Sequence, residues 1–91
     1  MTRRVLKWDV PVAMLNPPHY IGAGPVVHVA SQYGRSDVVQ VWTEEAEEGH
    51  DLVGFYVIGS GHAIPEGTEH VGSVIVAGGH LVWHVYREVK P

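Results

Sequence analysis

The 91 residues are predicted to form one domain (residues 1–91), and a chain this short buries little more than about 60% of its unfolded surface. The absence of cysteine excludes disulfide bonds and zinc–thiolate sites. The net charge of −4 is not the basic balance typical of nucleic-acid-binding domains.

Seven segments are predicted to be β-strands, because each is rich in Val, Ile, Tyr or Trp and is bounded by turn residues. In chain order they are residues 4–10, 20–22, 26–32, 37–43, 52–58, 70–77 and 81–88. No window shows the i, i+3, i+4, i+7 apolar spacing of an amphipathic helix. We therefore expect an all-β, mainly antiparallel fold: a small single-domain sandwich or barrel of about six to seven strands.

Apolar residues occupy both faces of three predicted strands, at 26–27, 38–39 and 74–76. Such runs are typical of strands that are covered on both sides. These strands and the three tryptophans carry more apolar surface than a small sheet can bury alone, and unpaired strand edges favour association. The pattern predicts a homodimer or a higher closed assembly.

Glycine marks the predicted turns and the irregular points of the strands. Residues 33–36 and 77–80 are predicted to be tight hairpin connections, and Gly78-Gly79 readily supplies positive φ angles. Gly54 and Gly72 fall inside strands and predict bulges or close backbone approach.

Charge is distributed unevenly along the chain. Five of the ten acidic residues lie in segment 44–51, which is predicted to be a solvated loop. The remainder carries six basic and five acidic residues, a net of 6 − 5 = +1. The cations near the two termini would form a modest basic patch if the terminal strands paired: Arg3, Arg4, Lys7, Arg87 and Lys90. This patch is too weak to predict a nucleic-acid partner.

No signal sequence and no membrane span are predicted. The basic start at Arg3-Arg4 is followed by Lys7, Asp9 and Pro11, and no apolar run approaches the roughly 20 residues of a membrane helix. We expect a soluble, cytoplasmic protein without a membrane partner.

The glycine-built loop at residues 59–67, Gly-Ser-Gly-His-Ala-Ile-Pro-Glu-Gly, is the best candidate for a binding site. Ile64 is apolar where a loop is normally polar, and Pro65 limits the motion of the tip, which lowers the entropy lost on binding. His62 can donate or accept a hydrogen bond. We expect these three residues to contact a partner or ligand.

Trp83 and His84 are expected to lie near this loop as its support or wall. The competing interpretation is that Ile64 folds back to cap one end of the barrel, which would make the loop purely structural.

The chain resembles a family of short, uncharacterised proteins found mainly in bacteriophages and in actinobacterial genomes that carry phage-like genes. The resemblance rests on His-Val-Ala (28–30), the loop at 59–67, Gly-Ser-Val (72–74) and Leu-Val-Trp-His-Val (81–85). It extends from about residue 8 to residue 87. It implies a phage context and supplies neither an activity nor catalytic residues.

Metal and cofactor chemistry are not predicted, although the chain has seven histidines. His80 and His84 would lie about 13 Å apart on a strand, too far to share an ion. A site built from separate strands, for example from His62, His70 and His84, stays open as an alternative. We expect folding to proceed without metal.

Nucleophilic catalysis is not predicted either. Ser60 and His62 are close in sequence, but they do not form the Gly-x-Ser-x-Gly elbow of hydrolases, and no third group that would orient the histidine is evident. We therefore expect a protein that is not an enzyme.

Two function classes fit these features. The favoured one is a phage-encoded protein that binds and modulates a host protein in the host cytoplasm. The alternative is a small-ligand binder, such as a sponge for a nucleotide immune signal, which requires aromatic and cationic side chains to converge: Tyr20, Tyr33, Arg35 and Trp42. A structural or virion-associated role is a third reading.

Overall fold

A computed structural model describes residues 3–12 and 17–89, and this part of the chain folds into two packed antiparallel sheets. The strands are β1 (Val5–Pro11), β2 (His19–Ile21), β3 (Ala23–Ala30), β4 (Val38–Glu45), β5 (Val53–Gly59), β6 (Thr68–Val76) and β7 (Leu81–Glu88). A short 3-10 turn at Ala77–Gly79 is the only helical element of the described residues, and none of their helices is long and apolar enough to span a membrane. The predicted all-β fold is confirmed, and it is a sandwich.

Each sheet buries one face against the other. The three-stranded sheet has the order β1-β4-β3 and the four-stranded sheet has the order β2-β5-β7-β6. Alternation along β1 buries Val10 and half-buries Trp8, as predicted, because successive side chains of a strand point to opposite faces. The core consists of small and branched apolar side chains around one phenylalanine: Val10, Ile21, Ala23, Val39, Val41, Val53, Phe55, Val57, Val74, Val76 and Val85.

Phe55 is the largest of the fully buried side chains and lies near the centre of the four-stranded sheet. The Arg87 guanidinium lies 5.6 Å from the centroid of its ring and donates a hydrogen bond to the Gly24 carbonyl oxygen of the opposite sheet. This arginine therefore joins the two sheets instead of contributing to an exposed basic surface.

Two glycines inside strands mark close approaches, as predicted. The register shifts by one residue between His70 and Gly72, and a Cβ atom on Gly72 would lie 2.8 Å from Val29 Cγ2 in the opposite sheet. A Cβ atom on Gly54 would lie 2.8 Å from the Glu88 carboxyl group. Gly72 therefore leaves no room for a side chain, whereas a side chain at Gly54 would require the flexible Glu88 carboxyl group to move.

The terminal strands lie in different sheets, so the basic patch predicted from their pairing does not form. Arg3 instead pairs with Glu44 (2.8 Å) and Arg4 with Glu45 (2.6 Å). The hydrogen bond from Arg4 holds the pKa of the Glu45 carboxyl below its usual value. The first two residues of the acidic segment thus form the end of β4 and pair with these arginines, instead of lying in a solvated loop. Lys90 lies outside the described residues.

The loop at residues 60–67, which we call the strap, makes an unusual connection. β5 and β6 both pair antiparallel with β7, so they run parallel to each other. β5 ends beside Trp83, near the start of β7, and β6 begins beside Glu88, at the end of β7. The strap therefore runs along the length of β7 and crosses it. Because one face of this sheet packs against the other sheet, the strap crosses the opposite side, which we call the outer face. Ile58 points to that face and is only 3% exposed, in agreement with a covered surface.

The strands that are apolar on both faces are not fully covered within one chain. Val27 is 55% exposed and Ile75 is 68% exposed. The nine-residue strand β6 forms an edge of its sheet, and its second half contains neither proline nor charge. The other edges are better protected, because β2 has three residues, β1 ends in Pro11, and β3 contains Pro25 and two register shifts. β6 is therefore the edge at which self-association is expected.

Replacing Ile75 with lysine is expected to convert a self-associated protein into a single chain. A charge on an open edge opposes pairing with a second strand, and Ile75 is too exposed for the change to affect folding. Sedimentation velocity at micromolar concentration checks this. The matched control is Val5→Lys on β1, where a similarly exposed valine lies on a different edge. If the unmodified protein sediments as one chain, the prediction of self-association is wrong.

Candidate functional site

The strap is held in place at both of its ends. At its start, the His62 N–H donates to the Gly59 carbonyl oxygen (3.3 Å), and Gly61 has a φ of +87°, a conformation that favours glycine. At its end, the Thr68 hydroxyl donates to the Pro65 carbonyl oxygen (2.6 Å). The N–H of residue 89 donates to the carbonyl oxygen of Gly67 (2.9 Å).

Ile64 lies at the middle of the strap and is 59% exposed. It is not part of the apolar core, so it does not cap an end of the sandwich as the competing interpretation requires. Pro65 beside it is half-buried, and His62 is exposed. The strap therefore presents an apolar side chain to solvent from a backbone that hydrogen bonds fix on both sides.

Trp83 and His62 lie side by side at the end of β5. A Cβ atom on Gly59 would lie 3.3 Å from an atom of each ring, so both rings pack against this glycine. The Trp83 indole N–H donates to the Ser36 carbonyl oxygen (2.9 Å), which links the start of the strap to the β3–β4 loop. Trp83 thus lies against the start of the strap, and its role as the wall of a binding site stays a prediction.

His84 lies on the outer face and joins the strap to β6 through a chain of hydrogen bonds. Its Nε2 atom is 2.9 Å from Ser60 Oγ, and its Nδ1 atom is 2.8 Å from Ser73 Oγ. Ser73 Oγ is in turn 2.9 Å from His70 Nε2. The His70 ring packs edge-on against Tyr86, with centroids 5.3 Å apart. We call Ser60, His84, Ser73 and His70 the His84 cluster.

In the sequence, Ser60 is considered as a nucleophile with His62, whereas in the structure Ser60 pairs with His84, and Ser73 lies at the other ring nitrogen of His84. The position of Ser73 opposite His84 could nevertheless be predicted from the sequence. The turn at 77–80 places Val76 opposite Leu81, and counting back along both strands places Ser73 opposite His84.

The histidines are not arranged around a common point. The centroids of His70 and His84 lie 6.3 Å apart with the Ser73 hydroxyl between them, and His62 packs against Gly59. Within residues 3–12 and 17–89, no three side chains of the types that bind metals are grouped to hold an ion.

The residues expected to form a nucleotide pocket do not converge within one chain. Tyr20 pairs with Gly54 on the outer face, whereas Trp42 packs on His28 in the other sheet (5.5 Å between centroids). The remaining two candidates are paired elsewhere, Tyr33 with Lys7 and Arg35 with Asp37.

An open cavity of about 570 Å³ lies at the opposite end of the four-stranded sheet. Its lining contains three carboxylates beside one arginine: His50, Asp51, Val53, Glu69, Arg87, Glu88 and Val89. This lining is unfavourable for an anionic ligand, because carboxylates repel a phosphate.

Comparison with known proteins places the whole chain in one family. The model of a family described as a domain of unknown function (DUF7352) matches residues 1–91. No curated protein and no solved structure matches the chain. The prediction of an uncharacterised family is confirmed, while its phage and actinobacterial origin and its motifs stay predictions.

Proposed function

We propose that this chain, which belongs to the DUF7352 family, is a non-enzymatic binding protein that contacts a protein partner through the strap. Ile64, His62 and Pro65 would make the contact, with Trp83 and His84 as the supporting wall. The phage resemblance makes a host protein the partner and the host cytoplasm the place of action. Modulation of that host protein would be the biological outcome.

The observation that carries the proposal is the exposure of Ile64 on a strap tied at both ends. An exposed isoleucine contributes nothing to the core, and burying it against a partner releases about 1.5–3 kcal/mol of hydrophobic free energy. Because the strap is already ordered, less conformational entropy is lost on binding. Both features favour an anchor residue at a protein–protein contact.

The small-ligand alternative has less support. Its four candidate residues are separated within one chain, and the open cavity is lined by carboxylates. A nucleotide sponge would need a subunit interface to bring them together. Native mass spectrometry of the freshly purified protein distinguishes the two functions, because a sponge retains a small molecule whereas a protein-binding chain does not.

Replacing Ile64 with serine is expected to weaken partner binding by about 2 kcal/mol, roughly 30-fold, while changing the free energy of unfolding by no more than about 0.5 kcal/mol. Loss of an apolar anchor explains the first effect, and the exposure of Ile64 explains the second. The partner is identified by quantitative pull-down from host lysate, and its affinity for each purified variant is then measured by calorimetry.

The matched control for this experiment is Leu52→Ser, which removes a similarly exposed apolar side chain from the β4–β5 loop. It is expected to bind the same partner with unchanged affinity. If Ile64→Ser instead costs 1–3 kcal/mol of stability, the side chain is part of the core and the proposed contact is wrong.

A further inference from the structure

We infer that Ser60 is a reactive serine that accepts an acyl group from an activated ester, with His84 as its general base. This covalent site goes beyond the proposed binding function and does not depend on it. It concerns one acyl transfer to the protein and requires no catalytic turnover.

The nucleophile and the base are in hydrogen-bond contact. Ser60 Oγ lies 2.9 Å from His84 Nε2, within the range expected of a serine whose proton is removed by histidine. Ser60 is exposed, while His84 is half-buried. Apart from its two chain neighbours, none of the described residues has an atom within 4 Å of the position that a Cβ atom on Gly61 would occupy, so the space beside this glycine is open to a small ester.

One of the two neutral tautomers of His84 leaves Nε2 as the acceptor for the Ser60 proton. A neutral imidazole has one N–H and one acceptor nitrogen. If Nδ1–H donates to Ser73 Oγ, then Nε2 is the acceptor for the Ser60 hydroxyl. The Ser73 hydroxyl then donates to His70 Nε2, so all three hydrogen bonds point the same way. In this tautomer, Ser73 is a positioning residue that holds His84 ready to accept a proton.

A donor for the developing oxyanion adjoins the nucleophile. The N–H of Gly61 follows Ser60 directly and makes no hydrogen bond to any of the described residues. The N–H of the residue after a nucleophilic serine is a recurring oxyanion donor in acyl transfer. Such donors stabilise the negative charge that forms on the carbonyl oxygen.

The transfer balances without a cofactor. Ser60 Oγ forms a bond to the carbonyl carbon of the ester, and its proton passes to His84 Nε2. The carbonyl oxygen carries the negative charge until the bond to the leaving oxygen breaks. The leaving alkoxide or phenoxide takes the proton from His84 Nε2. The products are acyl-Ser60 and a free alcohol or phenol.

The test uses p-nitrophenyl acetate with the intact chain. We expect release of one equivalent of nitrophenol per chain, together with a mass increase of one acetyl group that peptide mapping places on Ser60. Ser60→Ala abolishes both. His84→Gln slows the transfer by about 100-fold or more, the contribution expected of a general base.

Two controls measure background reactivity. Ser31→Ala removes a hydroxyl that bonds only the Arg35 carbonyl oxygen, and His80→Gln removes an exposed imidazole on the β6–β7 turn. Both are expected to react like the unmodified protein. Ser73→Ala is expected to slow the transfer, and Ser73→Thr to restore it, because threonine keeps the hydroxyl that holds His84.

The mapping of the acetyl group on the unmodified chain keeps the test valid even if a variant fails to fold. Acetylation confined to lysine, tyrosine or histidine overturns the inference. So does a folded Ser60→Ala variant that reacts at the original rate.

Discussion

Replacing Phe55 with alanine is expected to lower the free energy of unfolding by about 3–5 kcal/mol. The ring is fully buried, and its loss removes apolar burial and leaves a cavity below the Arg87 guanidinium. Small domains are stable by only about 5–15 kcal/mol, so a large part of the folding free energy is lost. Urea denaturation followed by tryptophan fluorescence measures the change.

Tyr20→Ala is the control for this effect. Tyr20 is an aromatic residue of the neighbouring strand β2, but it is exposed on the outer face. Its replacement is expected to cost less than about 1 kcal/mol. Equal losses for the two variants would contradict the placement of Phe55 at the centre of the core.

Replacing Gly72 with alanine is expected to cost about 3 kcal/mol, the upper part of the range for overpacked cores. The added Cβ atom would lie 2.8 Å from Val29 Cγ2 and 2.9 Å from Val29 Cβ, so Val29 or the backbone of one of the two strands must shift. The same denaturation experiment measures the loss. The control is Gly22→Ala, whose Cβ atom meets nothing closer than 3.9 Å and is expected to be tolerated.

A double variant identifies steric overlap as the cause. Val29→Ala removes the methyl group 2.8 Å from the added atom but keeps the Val29 Cβ atom 2.9 Å from it, so the combined variant is expected to recover part of the loss and to be more stable than the sum of the two single losses predicts. Coupling energies of about 0.5–3 kcal/mol are usual for residues in contact. Strict additivity would show that the loss at Gly72 has another origin.

The sequence predicts the strands well but does not predict their partners. Alternation and turn residues locate all seven strands to within a few residues, and β7 at both ends. The largest difference, three residues, is the start of β3 at Ala23, and the extension of β4 to Glu45 is one of several two-residue differences. Both arise from contacts with distant strands, since Ala23 pairs with Glu45 and Glu45 pairs with Arg4. A local sequence pattern does not indicate which distant residues pair.

The candidate site is predicted in part for the same reason. Ile64 is exposed in the glycine-built loop and Trp83 packs near His62, while the role of these residues as a contact and its wall stays a prediction. The link between Ser60 and His84 depends on β7 lying beside β5, and strand order is not encoded in periodicity. The partner Ser73 depends only on the local β6–β7 turn, and its register could have been counted from the sequence.

The crossover made by the strap also constrains the order in which the four-stranded sheet can assemble. β7 lies between β5 and β6 and follows both in the sequence, so neither strand can pair with β7 until β7 has been synthesised. The β6–β7 hairpin closes over the short turn at 77–80 and can form early, because short loops lose little entropy on closure. β5 pairs with β7 only when that hairpin docks on it as a unit. This docking joins strands that are distant in sequence, and such long-range steps slow folding. During synthesis, β1 to β5 therefore leave the ribosome while one edge of β5 is still unpaired. Pairing with β7 then covers that edge.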